Sequence, residues 1–323
     1  MTDEPDNAWK SKKGAAKMSV QKSNSDAASR RYWTPGSILR NRKHQLFQMF
    51  FMLACLLLTL KYPQFAVAQT CIIVRKMPKE IYVGSDSRRT YTEVTGERSG
   101  AVEEITDQVC KISQEGATFF AISGFGGFAL SRAVFPSQRL PVLARSGQES
   151  LKRLVVSACE QGKTIAEKAR AFEQMAADPL TEALEIIRQN NLPYYRQRFA
   201  DKETCAVIFF GMEGASPAFS VVTFESVNSM SAPVSLVHRV INSSDYPNEV
   251  SLTVSTGHHD AIDHLKGDRK FWEIGPVAGI TKLIEIQMKA TPDKVGGHID
   301  IIKVSKDGAE WIQKKPQCPE IKK

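Results

Sequence analysis

The sequence has no pair of cysteines at the short spacing that holds a structural zinc ion. Its six cysteines are scattered along 323 residues, whereas zinc ribbons need paired C-x-x-C ligands. The H-E-x-x-H pattern of helical metalloprotease centres is also missing from the sequence. These absences argue against both classes of zinc protein, and we predict no cofactor.

Aromatic residues are few, and they are not interleaved with the basic ones. They make up 8% of the chain, while the formal net charge is +8. A large share of that charge lies in residues 1–45, which precede the part expected to fold. Nucleic-acid sites combine a basic patch with aromatic side chains that stack on bases. Nucleic acid is therefore not a predicted partner.

No apolar run near the start reaches the roughly 20 residues that a membrane-spanning helix needs. Residues 1–45 are polar and predicted to be disordered. Residues 46–69 contain a shorter apolar run after a basic flank and end with Ala66-Val-Ala68, the three parts of a secretory signal. We expect export to the periplasm or the medium, with cleavage near Ala68. In the alternative, the leader stays uncleaved and anchors the chain. The leader would then be the only part of the chain that contacts a membrane.

Five cysteines follow the apolar run, so at least one of them has no partner within the chain. Export would permit one or two disulfides, and the sequence leaves their pairing open. Cys71 and Cys205 lie in apolar, strand-like runs, where buried free thiols are the simpler expectation.

Residues 70–323 carry both strand and helix patterns, which predicts an α+β domain. The runs 71–74 and 81–83, joined by a polar turn with Pro78, predict a hairpin. Apolar spacing of three and four residues predicts helices between 148 and 190, broken near Gly162 and at Asp178-Pro179, and another helix at 277–288. The polar segment 89–108 is expected to be a long loop.

The stretch that begins at Thr70 resembles the opening of proteasome β-type subunits and other N-terminal-nucleophile hydrolases. Thr70 is followed by a hydrophobic strand, a turn and then Val83-Gly-Ser-Asp86-Ser-Arg88. Later motifs follow in the family's order over most of residues 70–311. The resemblance implies a four-layer αββα sandwich, in which two sheets pack face to face beneath outer helices. It also implies a peptide or other amide substrate and assembly into a homo-oligomer.

The resemblance also implies roles for particular residues. As the first residue, Thr70 would supply a nucleophilic hydroxyl and a free α-amine that acts as its base. Lys111 would supply positive charge beside the hydroxyl, and Asp86 would orient the lysine. The backbone N–H of Gly124 would stabilise the oxyanion. Asp293 matches the aspartate of the family's Asp-x-x-Ser-Gly-Gly turn, and Thr256 falls where the family has a serine.

Two positions depart from the family. Gln69 would remain before Thr70 after cleavage at Ala68, so one more bond must break. Self-cleavage by the threonine, an exopeptidase or a cleavage site shifted by one residue would each expose Thr70. Gly296 stands where the family has a serine. These departures keep open a second hypothesis, an exported binding or scaffold protein with the same fold and no activity.

Two further hypotheses place the chemistry elsewhere. Cys71 would become the nucleophile if cleavage went one residue further. The cluster His258-His259-Asp260 with Asp263 and His264 offers imidazole and carboxylate groups to a divalent metal, as in a metal-dependent hydrolase. However, His259 and His264 are five residues apart, which puts them on different faces of a helix. A polar surface turn is the favoured reading of this cluster.

Overall fold

The structure, a computed structural model, describes residues 70–95, 101–124, 148–190, 192–227, 233–316 and 318–321. The predicted disordered leader, the export signal and Gln69 lie outside these residues, as does the glycine-rich turn beyond Gly124. The described part is a mixed α/β fold with two five-stranded antiparallel sheets, one two-stranded sheet and several helices. No helix in these ranges combines the length and apolar character needed to cross a bilayer.

The first sheet contains the predicted hairpin near the start of the described chain. Its strands are β1 (Cys71–Lys76), β2 (Glu80–Asp86), β10 (Leu252–Gly257), β11 (Ile299–Ser305) and β12 (Gly308–Gln313), in the spatial order β10-β1-β2-β11-β12. The hairpin pairs Ile72 with Ser85, while Cys71 faces Gly257 on the other side of β1. Residues 71–74 are all buried, because both faces of β1 are covered.

The second sheet is a meander of five consecutive strands. They are β5 (Ile112–Glu115), β6 (Thr118–Gly124), β7 (Glu203–Glu213), β8 (Ser216–Val227) and β9 (Ser235–Asn242). In this sheet Gly124, the last residue of β6, pairs with Cys205 near the start of β7.

The polar segment 89–108 was expected to be a loop, and that prediction is wrong. It forms most of a two-stranded antiparallel sheet of β3 (Arg88–Thr95) and β4 (Ala101–Gln108). Five of the residues from Thr90 to Thr95 are threonine, valine or tyrosine, which favour strands even in a polar sequence. Gly96 and Gly100, in the same segment, are typical of loops and obscured this propensity in the sequence.

Helices cover the remaining periodic segments. They are α1 (Gln148–Gln161), α2 (Ile165–Asn190), α3 (Leu192–Arg198), α4 (Asp263–Lys266) and α5 (Pro276–Ala290), with 3-10 turns at Ser243–Asp245 and Phe271–Ile274. The break near Gly162 is confirmed, whereas the break at Pro179 is wrong because α2 continues through it. Ala176 and Leu180 on either side are buried in one core, so packing outweighs the roughly 3 kcal/mol that an interior proline costs.

Three apolar clusters lie between these elements. One packs α1, α2 and α3 against the second sheet, with Phe172 of α2 near Phe209 and Phe224. Another joins the two large sheets, and includes Ile72 and Phe210. The last packs α5 against the first sheet, where a Cβ at Gly84 would lie 2.2 Å from the side chain of Ile280. A glycine in β2 therefore lets the helix approach closely.

Candidate active site

Thr70 lies directly before β1 and is 3% exposed. Its carbonyl oxygen accepts a hydrogen bond of 2.9 Å from the backbone N–H of His258. A Cβ at Gly257 would lie only 1.7 Å from the same oxygen, and the φ of Gly257 is +78°. Only glycine fits there, so the end of β10 is shaped to hold the backbone of Thr70.

Asp86 ends β2 with a fully buried side chain that accepts three hydrogen bonds. Oδ1 accepts from the backbone N–H of Cys71 and from Nζ of Lys111, both at 2.9 Å, and Oδ2 accepts from the N–H of Gly296 at 3.1 Å. This carboxylate therefore joins the start of β1, the segment before β5 and the turn before β11. It also places Lys111 beside the residue that follows Thr70.

Lys111 forms a buried ion pair with Asp86, and its side chain is 4% exposed. Burial lowers the pKa of the Lys111 ammonium, while the charge of Asp86 opposes that shift. Buried ion pairs are weak evidence for stability, because desolvation offsets their attraction. A buried lysine with a lowered pKa and one defined partner is instead typical of a functional site.

Thr256 contacts a residue that the sequence did not single out. Oγ of Ser123 donates to Oγ1 of Thr256 at 3.1 Å, and both residues are 1% exposed. This bond joins the ends of β6 and β10, which belong to different sheets, and it places Gly124 at the same end of the fold as Thr70. Gly124 has φ +74°, and a Cβ there would lie 2.7 Å from the carbonyl oxygen of Thr204. Glycine is therefore required at this position.

Asp293 does not join the group around Asp86 in the described part of the chain. It is exposed on the turn before β11. Its charge acts on His258, although burial is the main influence there and lowers the pKa of that imidazole to about 4. Nε2 of His258 is buried and has no hydrogen-bond partner among the described residues. The charge of Asp293 therefore acts on His258, which the sequence analysis had placed in the candidate metal cluster.

The side chain of Arg88 accounts for glycine at position 296. A Cβ on Gly296 would lie 2.8 Å from the guanidinium carbon of Arg88. That guanidinium donates a hydrogen bond to the carbonyl of Pro292, and the N–H of Arg88 donates to the carbonyl of Gly296 at 2.9 Å. An arginine therefore fills the space next to the turn where the resembling family has a serine side chain.

Sequence reasoning missed Ser123 and Glu203. Oε1 of Glu203 accepts the N–H of Gly257 at 3.1 Å, and burial raises the pKa of this carboxyl. A hydroxyl directly before the glycine-rich turn was the available signal for Ser123. Glu203 carried no such signal, because its importance depends on a contact between β7 and β10 that the sequence does not reveal.

In the histidine-rich segment, Asp263 already forms an ion pair with a lysine side chain. Nδ1 of His259 lies 2.7 Å from Oδ1 of Asp263, and Nζ of Lys266 lies 2.6 Å from the same oxygen. The ligand atoms of His259, Asp260 and Asp263 lie within 4.8 Å of one another. Because the lysine already neutralises Asp263, a divalent metal would meet repulsion there.

The cysteines divide into one disulfide and three buried thiols in the described ranges. Cys110 is bonded to Cys318, and Cys71, Cys159 and Cys205 are free. The expectation of buried free thiols at Cys71 and Cys205 is thus confirmed. Burial and the charge of Asp86 raise the pKa of the Cys71 thiol, which disfavours the thiolate that a cysteine nucleophile needs.

No protein-family model matches the chain, and no curated protein sequence matches it. Solved structures that it resembles include Anbu from Hyphomicrobium sp. strain MC1 and a mutant form of the same protein. Each is 13% identical to this chain with a TM-score of 0.37, and each alignment covers 76% of this chain and 86% of that chain. At this level of likeness, only the site geometry bears on function.

Proposed function

We propose that this protein is an exported hydrolase that uses Thr70 as an N-terminal nucleophile to cleave a peptide or other amide bond, as in proteasome β-type subunits. The observation that carries the proposal is the buried pair of Asp86 and Lys111. The carboxylate of that pair also accepts the N–H of the residue directly after Thr70. Because Cys71 directly follows Thr70, these contacts support a role for Lys111 as the cation beside the threonine hydroxyl.

In the proposed reaction, the hydroxyl of Thr70 adds to the substrate carbonyl, and the α-amine takes its proton. The resulting α-ammonium gives this proton to the leaving nitrogen as the C–N bond breaks, and water, deprotonated by the same amine, then hydrolyses the ester formed with Thr70. The ammonium of Lys111 stabilises negative charge on the hydroxyl oxygen, and Asp86 holds the ammonium in place. The backbone N–H of Gly124 is the proposed oxyanion donor, a type of group whose removal costs on the order of 100-fold in rate. Thr256 and Ser123 support the site with a pair of hydrogen-bonded hydroxyl groups. The charge of Asp293 acts on His258, whose backbone N–H binds the carbonyl oxygen of Thr70.

The proposed architecture is the four-layer αββα sandwich. The three apolar clusters support it, since one lies between the two large sheets and each of the others lies between one sheet and helices. Self-association into a homo-oligomer belongs to the same proposal.

Export is proposed together with the activity. Disulfides persist in oxidising compartments and are rare in reducing ones, so the bond between Cys110 and Cys318 supports a periplasmic or secreted location. Cleavage near Ala68 and removal of Gln69 would then free the amine that the mechanism requires.

The test is the intact mass and N-terminal sequence of the protein expressed with its leader in an export-competent host. Thr70→Ala removes the hydroxyl, whereas Thr70→Ser keeps it and is the matched control. We expect wild type and Thr70→Ser to begin at residue 70 and to release a fluorogenic amine from peptide amides. Thr70→Ala should keep Gln69 and lose at least 100-fold of that activity. If all three proteins keep Gln69, the result favours the alternative hypothesis of an inactive binding or scaffold protein.

A further inference from the structure

A second buried ion pair lies near Lys111, and the proposed reaction does not use it. Lys315 is 2% exposed and Asp300, on β11, is fully buried. The backbone N–H of Lys315 donates to Oδ1 of Asp300 at 2.9 Å, and Nζ of Lys315 lies 3.3 Å from Oδ2. Because burying two charges is costly unless they are paired in a fixed geometry, this pair holds Lys315 in one position.

The ammonium of Lys315 also reaches the segment that carries Lys111. It donates a hydrogen bond to the carbonyl oxygen of Val109, two residues before Lys111. The N–H of Val109 in turn donates to the carbonyl of Ser87 at 2.9 Å, directly after Asp86. Residues 109–111 lie between β4 and β5 and belong to neither strand. Their position therefore depends on these individual contacts and not on a sheet ladder.

The disulfide fixes the same segment covalently. Cys110 is bonded to Cys318 with a Cα–Cα distance of 5.2 Å. The N–H of Cys318 donates to the carbonyl of Lys315 at 3.1 Å, so these two residues lie close together. Val109 and Cys110 are thus attached to Lys315 and Cys318, by an ionic hydrogen bond and by a covalent bond.

We propose that Lys315 is a positioning residue of the active site, which together with Asp300 and the disulfide holds the ammonium of Lys111 against Asp86. This inference rests on the proposed hydrolase function, but its geometric part can be tested without activity. The titratable groups that act on Lys111 are Asp86, Cys71 and Lys315. Burial is the main cause of the lowered pKa of Lys111, and the charge of Lys315 lowers it further.

The experiment follows the titration of Lys111 directly, by the side-chain carbon chemical shift in protein labelled with [13C]lysine. Lys111→Arg assigns the signal. Lys315→Met removes the neighbouring charge, Lys315→Arg keeps it, and Lys314→Met removes the partly exposed lysine one residue earlier, which pairs with Glu320. The double variant Lys315→Met/Asp300→Asn avoids leaving the buried carboxylate with only the imidazole of His298 as an ionic partner, and it serves if the single variant does not fold.

In Lys315→Met, the lost repulsion raises the pKa of Lys111 while any displacement from Asp86 lowers it, so the double variant, which removes one positive and one negative charge, gives the decisive titration. There the Lys111 signal should titrate at lower pH than in wild type, because an ammonium that has moved away from Asp86 loses the interaction that keeps it protonated. The two controls, Lys315→Arg and Lys314→Met, should stay near wild type. Turnover by the processed protein should fall on the order of 10- to 100-fold in the two Met variants, because small displacements of a catalytic group have effects of that size. An unchanged Lys111 titration in the folded double variant overturns the positioning role. If the titration shifts but wild type hydrolyses no amide, the positioning role stands and the hydrolase proposal fails.

Discussion

Asp86 is the residue that connects Lys111 to the residue directly after Thr70. Its carboxylate accepts from a strand N–H, a lysine and a turn N–H that are far apart in sequence. Thr70, Asp86 and Lys111 could be predicted to lie together because each is next to an apolar strand-like run and their order resembles a known family. The position of Asp293 could not be predicted, because it is exposed on a turn, which leaves no periodic pattern in the sequence.

The lowered pKa of Lys111 predicts the alkaline limb of the activity profile. The mechanism needs the ammonium, so activity should be lost as pH rises through the pKa of Lys111. Because burial lowers that pKa, the loss should occur below the range in which an ordinary lysine titrates. The measurement is kcat against pH for the processed enzyme.

Lys111→Arg provides the control for this profile, since a guanidinium stays protonated throughout the accessible range. The variant should retain whatever activity its altered shape allows, without the alkaline decline. A decline at the same pH in both proteins would assign the titration to another group.

Gly296 lacks the serine hydroxyl that the resembling family has at this position, and the structure explains the glycine by packing against Arg88. Gly296→Ser would restore the family's serine, but its Cβ would displace the guanidinium of Arg88. We expect the variant to lose the hydrogen bond from Arg88 to the carbonyl of Pro292, at a cost of about 1 kcal/mol in the free energy of unfolding. Urea denaturation measures this change.

The same substitution in an Arg88→Ala background tests the explanation. There the serine has no guanidinium to displace, so Gly296→Ser should cost less than in the wild-type background. Equal costs in the two backgrounds would show that Arg88 is not what excludes a side chain at position 296.

At the scale of elements, the rules applied to the sequence failed in α2 and in β3–β4 for different reasons. The helix continues through Pro179 because one apolar stripe, including Ala176 and Leu180, spans it. The sheet of β3 and β4 forms from a polar sequence that has no apolar alternation to mark it. In α2 packing outweighed the cost of proline, and in β3 the strand propensity of threonine, valine and tyrosine outweighed the polar composition.

Pro179→Ala is expected to stabilise the protein. The substitution gives residue 179 a backbone N–H that can complete the helix and removes the clash of the proline ring, which together are worth up to about 3 kcal/mol. Pro193, in the first turn of α3, is the matched control, because proline is tolerated at the start of a helix. Equilibrium urea unfolding should show a higher midpoint for Pro179→Ala and little change for Pro193→Ala. No difference between the two would mean that α2 has already adapted fully to its proline.

At the scale of the molecule, the candidate site lies where strands of both large sheets end. Thr70 and Thr256 come from the first sheet, while Ser123 and Gly124 come from the second. The general α+β class could be predicted from alternating strand and helix patterns. The contact between the sheets could not, because it depends on which ends of distant strands meet, as the hydrogen bond from Gly257 to Glu203 shows.

The bond between Cys110 and Cys318 has a consequence for biosynthesis. The two cysteines are separated by 208 residues, and Cys318 follows every described strand and helix. A chain made and translocated from its N-terminal end presents Thr70, Asp86 and Lys111 long before Cys318. In an exported chain, as proposed above, the covalent support of the lysine segment would form only after both sheets had crossed into the oxidising compartment, so the proposed site would be completed outside the cytoplasm.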